Sequence, residues 1–263
     1  MLLRKKEIFK RISKPNKESL KALVILDKTG STNDEAKKML SDIEEINKFY
    51  AIFAEQQISG RGRSGKTWIS PPNLNIYFSL AWKSLLKPAQ LEGLSLSVAV
   101  AISQKLKPTL SESLKIKWPN DILSANSKIC GILIESIIKK GEMSASIIGI
   151  GLNLNQTNFD GVTNASSLKC LTGVFYNKEE VLLKIIEHIK KYEEWVINRQ
   201  LFKIKETFES QLFRKDKPST FKLKNGDLIM GFIKGVANNG CLIVLLEDEV
   251  LKEFDLKELK LLY

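Results

Sequence analysis

The most regular pattern of apolar and polar positions in this chain lies between residues 74 and 83, where the two classes alternate. A period of two places each class on one face of an extended strand, so this segment predicts a half-buried β-strand. Apolar runs predict shorter strands at 22–26 and 50–57. The apolar members of the alternating segment are Leu74, Ile76, Phe78, Leu80 and Trp82.

Other segments repeat their apolar residues with helical spacing. Residues 91–107 predict a helix that ends before Pro108, because proline cannot continue the hydrogen-bond ladder of a helix. Thr32, followed three residues later by Glu35, predicts a capping box at the start of an earlier helix. Two further amphipathic helices are predicted later in the chain, at 178–199 and 201–213.

The strands and turns divide the chain into a large and a small unit. Residues 128–138 and 143–152 are rich in β-branched residues and predict a hairpin joined at 140–142. Beyond residue 215 the chain changes to short strands with Asn-Gly turns at 225–226 and 239–240, which favours a small SH3-like β-barrel. We therefore predict an α+β fold with three parts: a basic leader at 1–21, a domain with a mixed β-sheet and helices at 22–214, and a C-terminal SH3-like domain at 215–263.

Composition narrows the class of protein. With 43% hydrophobic and 27% charged residues, the chain carries enough apolar material for a packed core. No apolar run approaches the roughly 18 residues of a spanning helix, and the basic N-terminus lacks the apolar stretch of a secretion signal. Cys130, Cys170 and Cys241 lie far apart in sequence and predict reduced thiols. We expect a cytoplasmic protein with no membrane partner.

The formal charge of +11 leaves a basic nucleic-acid-binding module open as one interpretation, because lysine and arginine neutralise phosphates. The distribution of the charge weakens this interpretation. Residues 1–21 hold eight Lys/Arg against Glu7 and Glu18, so more than half of the excess lies in one short segment. The remaining excess is spread along the chain, which is typical of a solvated, lysine-rich surface.

A glycine-rich loop at 60–67, Gly-Arg-Gly-Arg-Ser-Gly-Lys-Thr, fits both the P-loop and the dinucleotide-binding pattern. Both patterns require a helix directly after the loop, where phosphate meets the helix N-terminus. Here two prolines and the alternating strand follow, and no Asp or Glu occurs between Glu55 and Glu92, so both patterns are disfavoured. The loop nevertheless presents Arg61 and Arg63 between glycines, and guanidinium groups bind carboxylate and phosphate.

Four other segments carry small, amide or charged residues next to predicted strand or helix ends. Residues 30–33 read Gly-Ser-Thr-Asn, and residues 117–121 read Lys-Trp-Pro-Asn-Asp. Lys128 stands three residues before Gly131, and residues 149–153 read Gly-Ile-Gly-Leu-Asn. A glycine inside a strand indicates close approach by a ligand or another chain segment. Each segment also has an ordinary structural explanation, but their order and spacing together favour a binding site.

In this order, with Gln57 ahead of the glycine loop, the segments resemble the sequence pattern of the biotin protein ligases over about residues 22–156. The resemblance implies a class II synthetase-like biotin/lipoate ligase catalytic domain with a small C-terminal barrel. It implies an enzyme that forms biotinyl-5′-adenylate from biotin and ATP and then transfers biotin to a lysine of a biotin carboxyl carrier protein, such as an acetyl-CoA carboxylase subunit. ATP is expected to carry the Mg²⁺, with no separate metal site on the protein.

The resemblance also assigns roles to residues. Lys128 is expected to bridge the biotin carboxylate and the α-phosphate, and the loop with Arg63 to close over the adenylate. Asp121 is a candidate to orient or deprotonate the carrier lysine, or else a carboxylate that only stabilises its turn. The expected catalytic residues are Arg63, Lys128 and Asp121. The expected biotin contacts are Ser31, Thr32, Asn33, Gln57, Arg61, Gly62, Arg63, Lys128 and Gly131. The expected ATP contacts are Arg61, Arg63, Trp68, Asn120, Lys128 and Asn153.

Some members of this family begin with a helix-turn-helix DNA-binding domain of about sixty residues, whereas some twenty residues precede the first predicted strand here. We therefore expect no DNA partner and no repressor function. The alternative enzyme is a lipoate protein ligase, which uses the same adenylation chemistry. The paired loop arginines and the Lys-Trp-Pro-Asn-Asp cluster favour biotin. The sequence leaves the identity of the carrier open and is compatible with a homodimer.

Overall fold

The computed structural model describes residues 20–40, 49–83, 91–110, 114–139, 142–198 and 200–263. The basic leader predicted at 1–21 therefore lies outside the described residues, except for Leu20 and Lys21 at its end. These two residues begin the first strand, β1 (Leu20–Leu26). Residues 140 and 141 of the predicted hairpin turn also lie outside the described residues.

A seven-stranded mixed sheet forms the larger part of the fold. After β1 come β2 (Phe49–Ala54), β3 (Ile76–Trp82), β4 (Leu114–Lys117), β5 (Asp121–Ser124), β6 (Ser127–Lys139) and β7 (Glu142–Leu152). Their order across the sheet is β1-β2-β3-β7-β6-β5-β4. β1 and β2 run parallel, and the other neighbours run antiparallel. The pairing of β6 with β7 confirms the predicted hairpin strands.

Helices pack on both faces of this sheet. On one face, α1 (Thr32–Met39) contacts β2, β3 and β7. The opposite face packs against α2 (Leu91–Leu110), α4 (Lys178–Ile197) and α5 (Leu201–Ser210), while the short α3 (Leu168–Thr172) follows β7. Because both faces are covered, all seven residues of β3 are buried. The prediction of a half-buried strand is therefore wrong.

Several predicted helix ends differ from the structure. The helices predicted at 178–199 and 201–213 end earlier, at Ile197 and Ser210. Ser31, not Thr32, is the N-cap residue of α1, and the Thr32 hydroxyl donates to Gln57 Oε1 at 3.1 Å. The predicted capping box is therefore wrong, because a contact with a distant residue replaces the local one. Pro108 lies inside α2, which continues to Leu110. A proline in the last turn removes one hydrogen bond close to the helix end, where the helix tolerates the loss.

The C-terminal strands form a second, antiparallel sheet of five strands. They are β8 (Pro218–Leu223), β9 (Leu228–Val236), β10 (Leu242–Leu246), β11 (Leu251–Phe254) and β12 (Leu259–Leu262), in the order β11-β10-β9-β8-β12. Gly226 and Gly240 have positive φ angles of 100° and 82°, as the predicted Asn-Gly turns require. The α+β fold class, with a mixed sheet and a C-terminal SH3-like unit, is confirmed. β5, β12 and α3 were not predicted, because four or five residues carry too little periodic pattern.

Direct contacts join the second sheet to the β4–β5 turn and to α5. Trp118 Nε1 donates to the Gly240 carbonyl at 2.9 Å, and Val236 N donates to Glu209 Oε1 at 2.9 Å. One continuous cluster of buried apolar side chains includes residues of both sheets. The β4–β5 turn, which contains the cis Trp118–Pro119 peptide, is therefore fixed next to the second sheet. Within the described residues, no helix has both the length and the apolar character needed to cross a bilayer.

Candidate active site

The candidate site lies on the sheet face that carries α1. Here β6 and β7 present Gly131, Gly149 and Gly151 at neighbouring positions. A Cβ atom at Gly151 would lie 2.4 Å from Trp68 Cε2, and one at Gly149 would lie 2.2 Å from Asn33 Oδ1. The glycines therefore make room for side chains that approach from α1 and from the loop after β2.

A cleft with a volume of about 50 Å³ opens over these glycines. We call it the motif cleft, because every residue expected to contact biotin lines it. Trp68 and Asn120, which were expected on the ATP side, line it as well. The nine expected biotin contacts that meet here are Ser31, Thr32, Asn33, Gln57, Arg61, Gly62, Arg63, Lys128 and Gly131.

Hydrogen bonds orient the polar wall of the motif cleft. Gln57 Oε1 accepts from Thr32 N at 2.8 Å and from Thr32 Oγ1 at 3.1 Å. Ser79 Oγ donates to Asn33 Oδ1 at 2.6 Å and lies 2.7 Å from Thr32 Oγ1. Asn33 Nδ2 donates to Glu135 Oε2 at 2.6 Å. These contacts fix which donors and acceptors face the cleft before a ligand binds.

Sequence reasoning missed Ser79 as a member of this network. The alternating pattern at 74–83 predicts Ser79 on the solvent-exposed face of β3, but Ser79 is fully buried. A signal was present in the sequence, because Tyr77 and Ala81 share its face and are not strongly polar. A buried serine between them requires hydrogen-bond partners, and α1 supplies them.

The glycine loop folds as a small hairpin. Gly62 N donates to the Lys66 carbonyl at 2.6 Å, and Trp68 N donates to the Gly60 carbonyl at 2.8 Å. Its tip is a single 3₁₀ turn at Arg63–Gly65, and no α-helix follows before β3. The structure therefore lacks the helix N-terminus that a P-loop or a dinucleotide-binding turn needs at this point.

The two arginines of the loop have different environments. The Arg61 guanidinium lies 2.7 Å from Asp34 Oδ2 and 3.3 Å from Glu135 Oε2. The hydrogen bond that Arg61 donates to Asp34 raises the Arg61 pKa above its ordinary value. Arg63 lines both the motif cleft and a neighbouring groove of about 200 Å³, which extends along the β4–β5 turn to the second sheet.

A second and larger cleft, of about 530 Å³, lies beside the motif cleft. We call it the lysine cleft, because Lys66, Lys117, Lys128 and Lys260 line it. Burial lowers the pKa of Lys117, Asp121 raises it, and the three other lysines lower it further. Lys117 Nζ also lies 4.2 Å from the centre of the Tyr263 ring. The lysine cleft is therefore a concentrated positive site suited to a polyanion.

Trp68 and Lys128 line both clefts and mark the boundary between them. Lys128 Nζ lies 2.7 Å from Asp121 Oδ1 and 5.1 Å from the centre of the Trp68 indole. The Trp68 indole N–H is buried and has no hydrogen-bond partner among the described residues. Two of the expected catalytic residues, Lys128 and Asp121, thus form an ion pair, whereas Arg63 lies on the loop above.

The two asparagines expected at the nucleotide use their amide donors within the protein. Asn120 Nδ2 donates to the Ile132 carbonyl at 2.6 Å, and Asn153 Nδ2 donates to the Ser166 carbonyl at 3.0 Å. Asn120 lines the motif cleft and Asn153 lines the lysine cleft. The described residues contain no group of three or more His, Cys, Asp or Glu side chains placed to hold a metal ion.

Known proteins resemble this chain in sequence. Residues 26–153 match the Biotin/lipoate A/B protein ligase family. The bifunctional ligase/repressor BirA of Escherichia coli is 35% identical over 133 residues, which cover 51% of this chain and 40% of that protein. The biotin–acetyl-CoA-carboxylase ligase of Paracoccus denitrificans is 26% identical over 227 residues, which cover 84% of this chain and 92% of that protein. The match therefore spans less than half of the E. coli relative.

The fold also resembles solved structures. The biotin protein ligase from Aquifex aeolicus in complex with biotin and ATP has a TM-score of 0.74 and 26% sequence identity to this chain. The superposition covers 91% of this chain and 97% of that one. The resemblance therefore extends through both sheets of the fold.

The packing of Trp68 on β7 gives a testable prediction. Gly151→Ala is expected to lower the free energy of unfolding by about 1–3 kcal/mol, because the added methyl group overlaps the indole. Gly30→Ala is the control, since a Cβ there meets no atom within 4 Å. Urea unfolding followed by circular dichroism measures both variants. Equal stability of Gly151→Ala and wild type would contradict the observed packing.

Proposed function

We propose that this chain is a biotin protein ligase, because its residues 26–153 match the Biotin/lipoate A/B protein ligase family. In the proposed reaction, biotin and ATP give biotinyl-5′-adenylate and pyrophosphate. The adenylate then acylates the side-chain amine of a lysine on a biotin carboxyl carrier protein and releases AMP. The observation that carries the proposal is the motif cleft, where three separate segments of the chain, 31–33, 57–63 and 128–131, bring together all nine expected biotin contacts.

The polar wall of the motif cleft suits the ureido ring of biotin. That ring has two N–H donors and one carbonyl acceptor, so a specific site needs both acceptors and donors at fixed positions. Ser31, Thr32 and Gln57 offer hydroxyl and amide groups on one wall. The Trp68 indole, which the resemblance assigns to ATP, lines both clefts. We propose that it also offers an apolar surface to the aliphatic chain of biotin.

The motif cleft must widen to admit biotin. Ligand pockets commonly measure about 300–1,000 Å³, whereas this cleft measures about 50 Å³. The groups that fill the space are the Trp68 indole and the glycine loop, which are attached to the sheet by side-chain contacts. We propose that the loop and Trp68 move outward together when biotin enters and then close over it.

The lysine cleft suits the phosphates of ATP. Attack of a carboxylate on the α-phosphate brings two anions together, so positive charge must reduce their repulsion and stabilise the transition state. Lys128 stands at the boundary of the two clefts, where the carboxylate end of biotin would meet the α-phosphate. Lys66, Lys117 and Lys260 line the rest of the lysine cleft, where the leaving pyrophosphate would lie. Mg²⁺ is proposed to arrive bound to ATP and to contribute further positive charge.

The Lys128–Asp121 ion pair connects the two halves of the proposed reaction. While Lys128 binds Asp121, a carboxylate oxygen of Asp121 is occupied by the Lys128 ammonium group. Once substrate anions attract Lys128, Asp121 is released to orient or deprotonate the incoming lysine of the carrier. In the alternative role, Asp121 only positions Lys128 and stabilises the β4–β5 turn.

The proposed reaction has a direct test. Purified protein is incubated with ATP, a biotin carrier domain and either biotin or lipoate, and the mass of the carrier is measured. We expect one biotinyl group on the carrier, dependent on ATP, and no lipoyl group. A carrier that takes lipoate but not biotin would identify the alternative ligase. Salt-sensitive binding of generic DNA without any adenylate formation would support the nucleic-acid interpretation instead.

Closure of the loop over the adenylate predicts a specific defect in Arg63→Ala. The variant should fold normally but release biotinyl-5′-adenylate about tenfold faster, because a charge-assisted hydrogen bond to the phosphate is lost. Rapid gel filtration after adenylate formation measures the fraction that stays bound. Lys184→Ala, at an exposed position of α4 on the opposite face of the sheet from α1, should retain the intermediate as wild type does. Unchanged retention in Arg63→Ala would contradict the closing role.

The environment of Lys117 predicts a pH dependence. Because its pKa is lowered, chiefly by burial, Lys117 loses its charge at a lower pH than an exposed lysine. The KM for ATP should therefore rise as the pH increases through this lowered pKa, while the KM for biotin changes less. Lys117→Gln should raise the KM for ATP at neutral pH and abolish the rise of this KM with increasing pH. If the KM for ATP depended on pH in the same way in wild type and in Lys117→Gln, a phosphate contact at Lys117 would be contradicted.

A further inference from the structure

We propose that Arg61 is a positioning residue, which anchors the glycine loop to α1 and β6 before any substrate binds. The resemblance to the ligases placed Arg61 among the contacts of biotin and ATP. The geometry points to different roles for the two arginines: Arg61 holds the loop in place, and Arg63 lines the motif cleft. The anchor stands apart from the proposed function, and only its effect on biotin affinity rests on that function.

One guanidinium bridges two separate elements. Nη1 of Arg61 binds Asp34 in the first turn of α1, and Nη2 binds Glu135 in β6. The planar fork of arginine allows both contacts at once, which the single ammonium of a lysine would not reproduce with the same geometry. The loop is thereby attached to elements that lie on either side of the motif cleft.

The other loop contacts have a different effect. The hydrogen bonds of Gly62 with Lys66 and of Gly60 with Trp68 join two strands of the same small hairpin. They give the hairpin its shape without attaching its tip to the sheet. The base of the loop is attached through Ser59 N and the Gly30 carbonyl, at 2.9 Å. Arg61 adds an attachment nearer the tip.

Glu135 links this anchor to the motif cleft. Its carboxylate accepts from Arg61 Nη2 and also from Asn33 Nδ2 at 2.6 Å. Asn33 in turn accepts from Ser79 through Oδ1. A displacement of the loop therefore removes one of the partners that orient Glu135 beside Asn33. We infer that loop position and the polar wall of the cleft are coupled through this single carboxylate.

The ion pairs of Arg61 are strong enough to favour one loop position and weak enough to break when the loop opens. The side chains of Arg61 and Asp34 are 42% and 45% exposed, so water and salt screen their ion pair. A deeply buried pair would hold the loop closed against entry of a ligand. A partly exposed pair suits a loop that must open, because the motif cleft is too small for a ligand in its closed form.

Limited trypsin digestion without substrates tests the anchor. The loop contains three trypsin sites, Arg61, Arg63 and Lys66, and cleavage there requires the hairpin to open. Asp34→Asn removes one ion pair and leaves all three sites intact. We expect loop cleavage in Asp34→Asn to be about threefold faster than in wild type, and about tenfold faster when Glu135→Gln is added. Mass spectrometry of the fragments identifies cleavage within the loop.

Two control variants separate anchoring from general loss of stability. Asp34→Glu keeps the carboxylate and should be cleaved within about twofold of the wild-type rate. Glu180→Gln removes a surface ion pair with Lys184 on α4, far from the loop, and should leave loop cleavage unchanged. Raising the salt concentration should accelerate loop cleavage of wild type and have little effect on the double variant.

The outcomes distinguish this proposal from the proposed ligase function. Equal loop cleavage in wild type and in Asp34→Asn with Glu135→Gln would overturn the anchor, whatever the enzyme does. Faster loop cleavage in a protein without ligase activity would support the anchor and reject the proposed function. In an active ligase, Asp34→Asn should raise the KM for biotin about threefold with a smaller change in kcat, because the closed loop is less populated. An unchanged KM, despite faster cleavage, would reject the coupling through Glu135.

Discussion

The site depends on the close approach of two side chains, Trp68 and Asn33, to the backbone of β6 and β7. Gly131, Gly149 and Gly151 have no side chains that would fill the space above β6 and β7 on the α1 face, so Trp68 and Asn33 reach the backbone of the sheet. A methyl group at any of the three would meet an atom of Trp68 or Asn33 within 3 Å. The position of the indole, the orientation of Asn33 and the shape of the motif cleft all follow from that space.

Charge is arranged around this space in two opposite ways. On one side, Arg61 is neutralised by Asp34 and Glu135, so its charge stabilises the protein. On the other side, four lysines line the lysine cleft together with Asp121. Burial among like charges is unfavourable for the protein alone, as the lowered pKa of Lys117 shows. A bound polyanion would relieve this repulsion, which is why the lysine cleft favours phosphate chemistry.

The topology of the sheet brings the site residues together. β3 and β7 are neighbours although some sixty residues separate them, and β6 returns beside β7 through the hairpin. Ser79, Gly149 and Glu135 therefore lie on adjacent strands beneath α1. The second sheet fixes the β4–β5 turn through Trp118 and Gly240, which positions Asp121 beside Lys128. Elements from the whole chain thus contribute to one small region.

The sequence by itself determined the long strands and helices, the Asn-Gly turns and the α+β class. Its resemblance to the biotin protein ligases, not local pattern alone, supplied the set of residues that line the motif cleft. Periodicity, turn chemistry and motif spacing are local properties, and they can be read without knowing which segments touch. The tertiary structure alone decided the covering of β3 on both faces, the partner of Thr32, the two carboxylates on Arg61 and the meeting of lysines from positions 66, 117, 128 and 260. Each of these depends on contacts between residues distant in sequence, because burial and pairing energies arise only when the sheets and helices pack together.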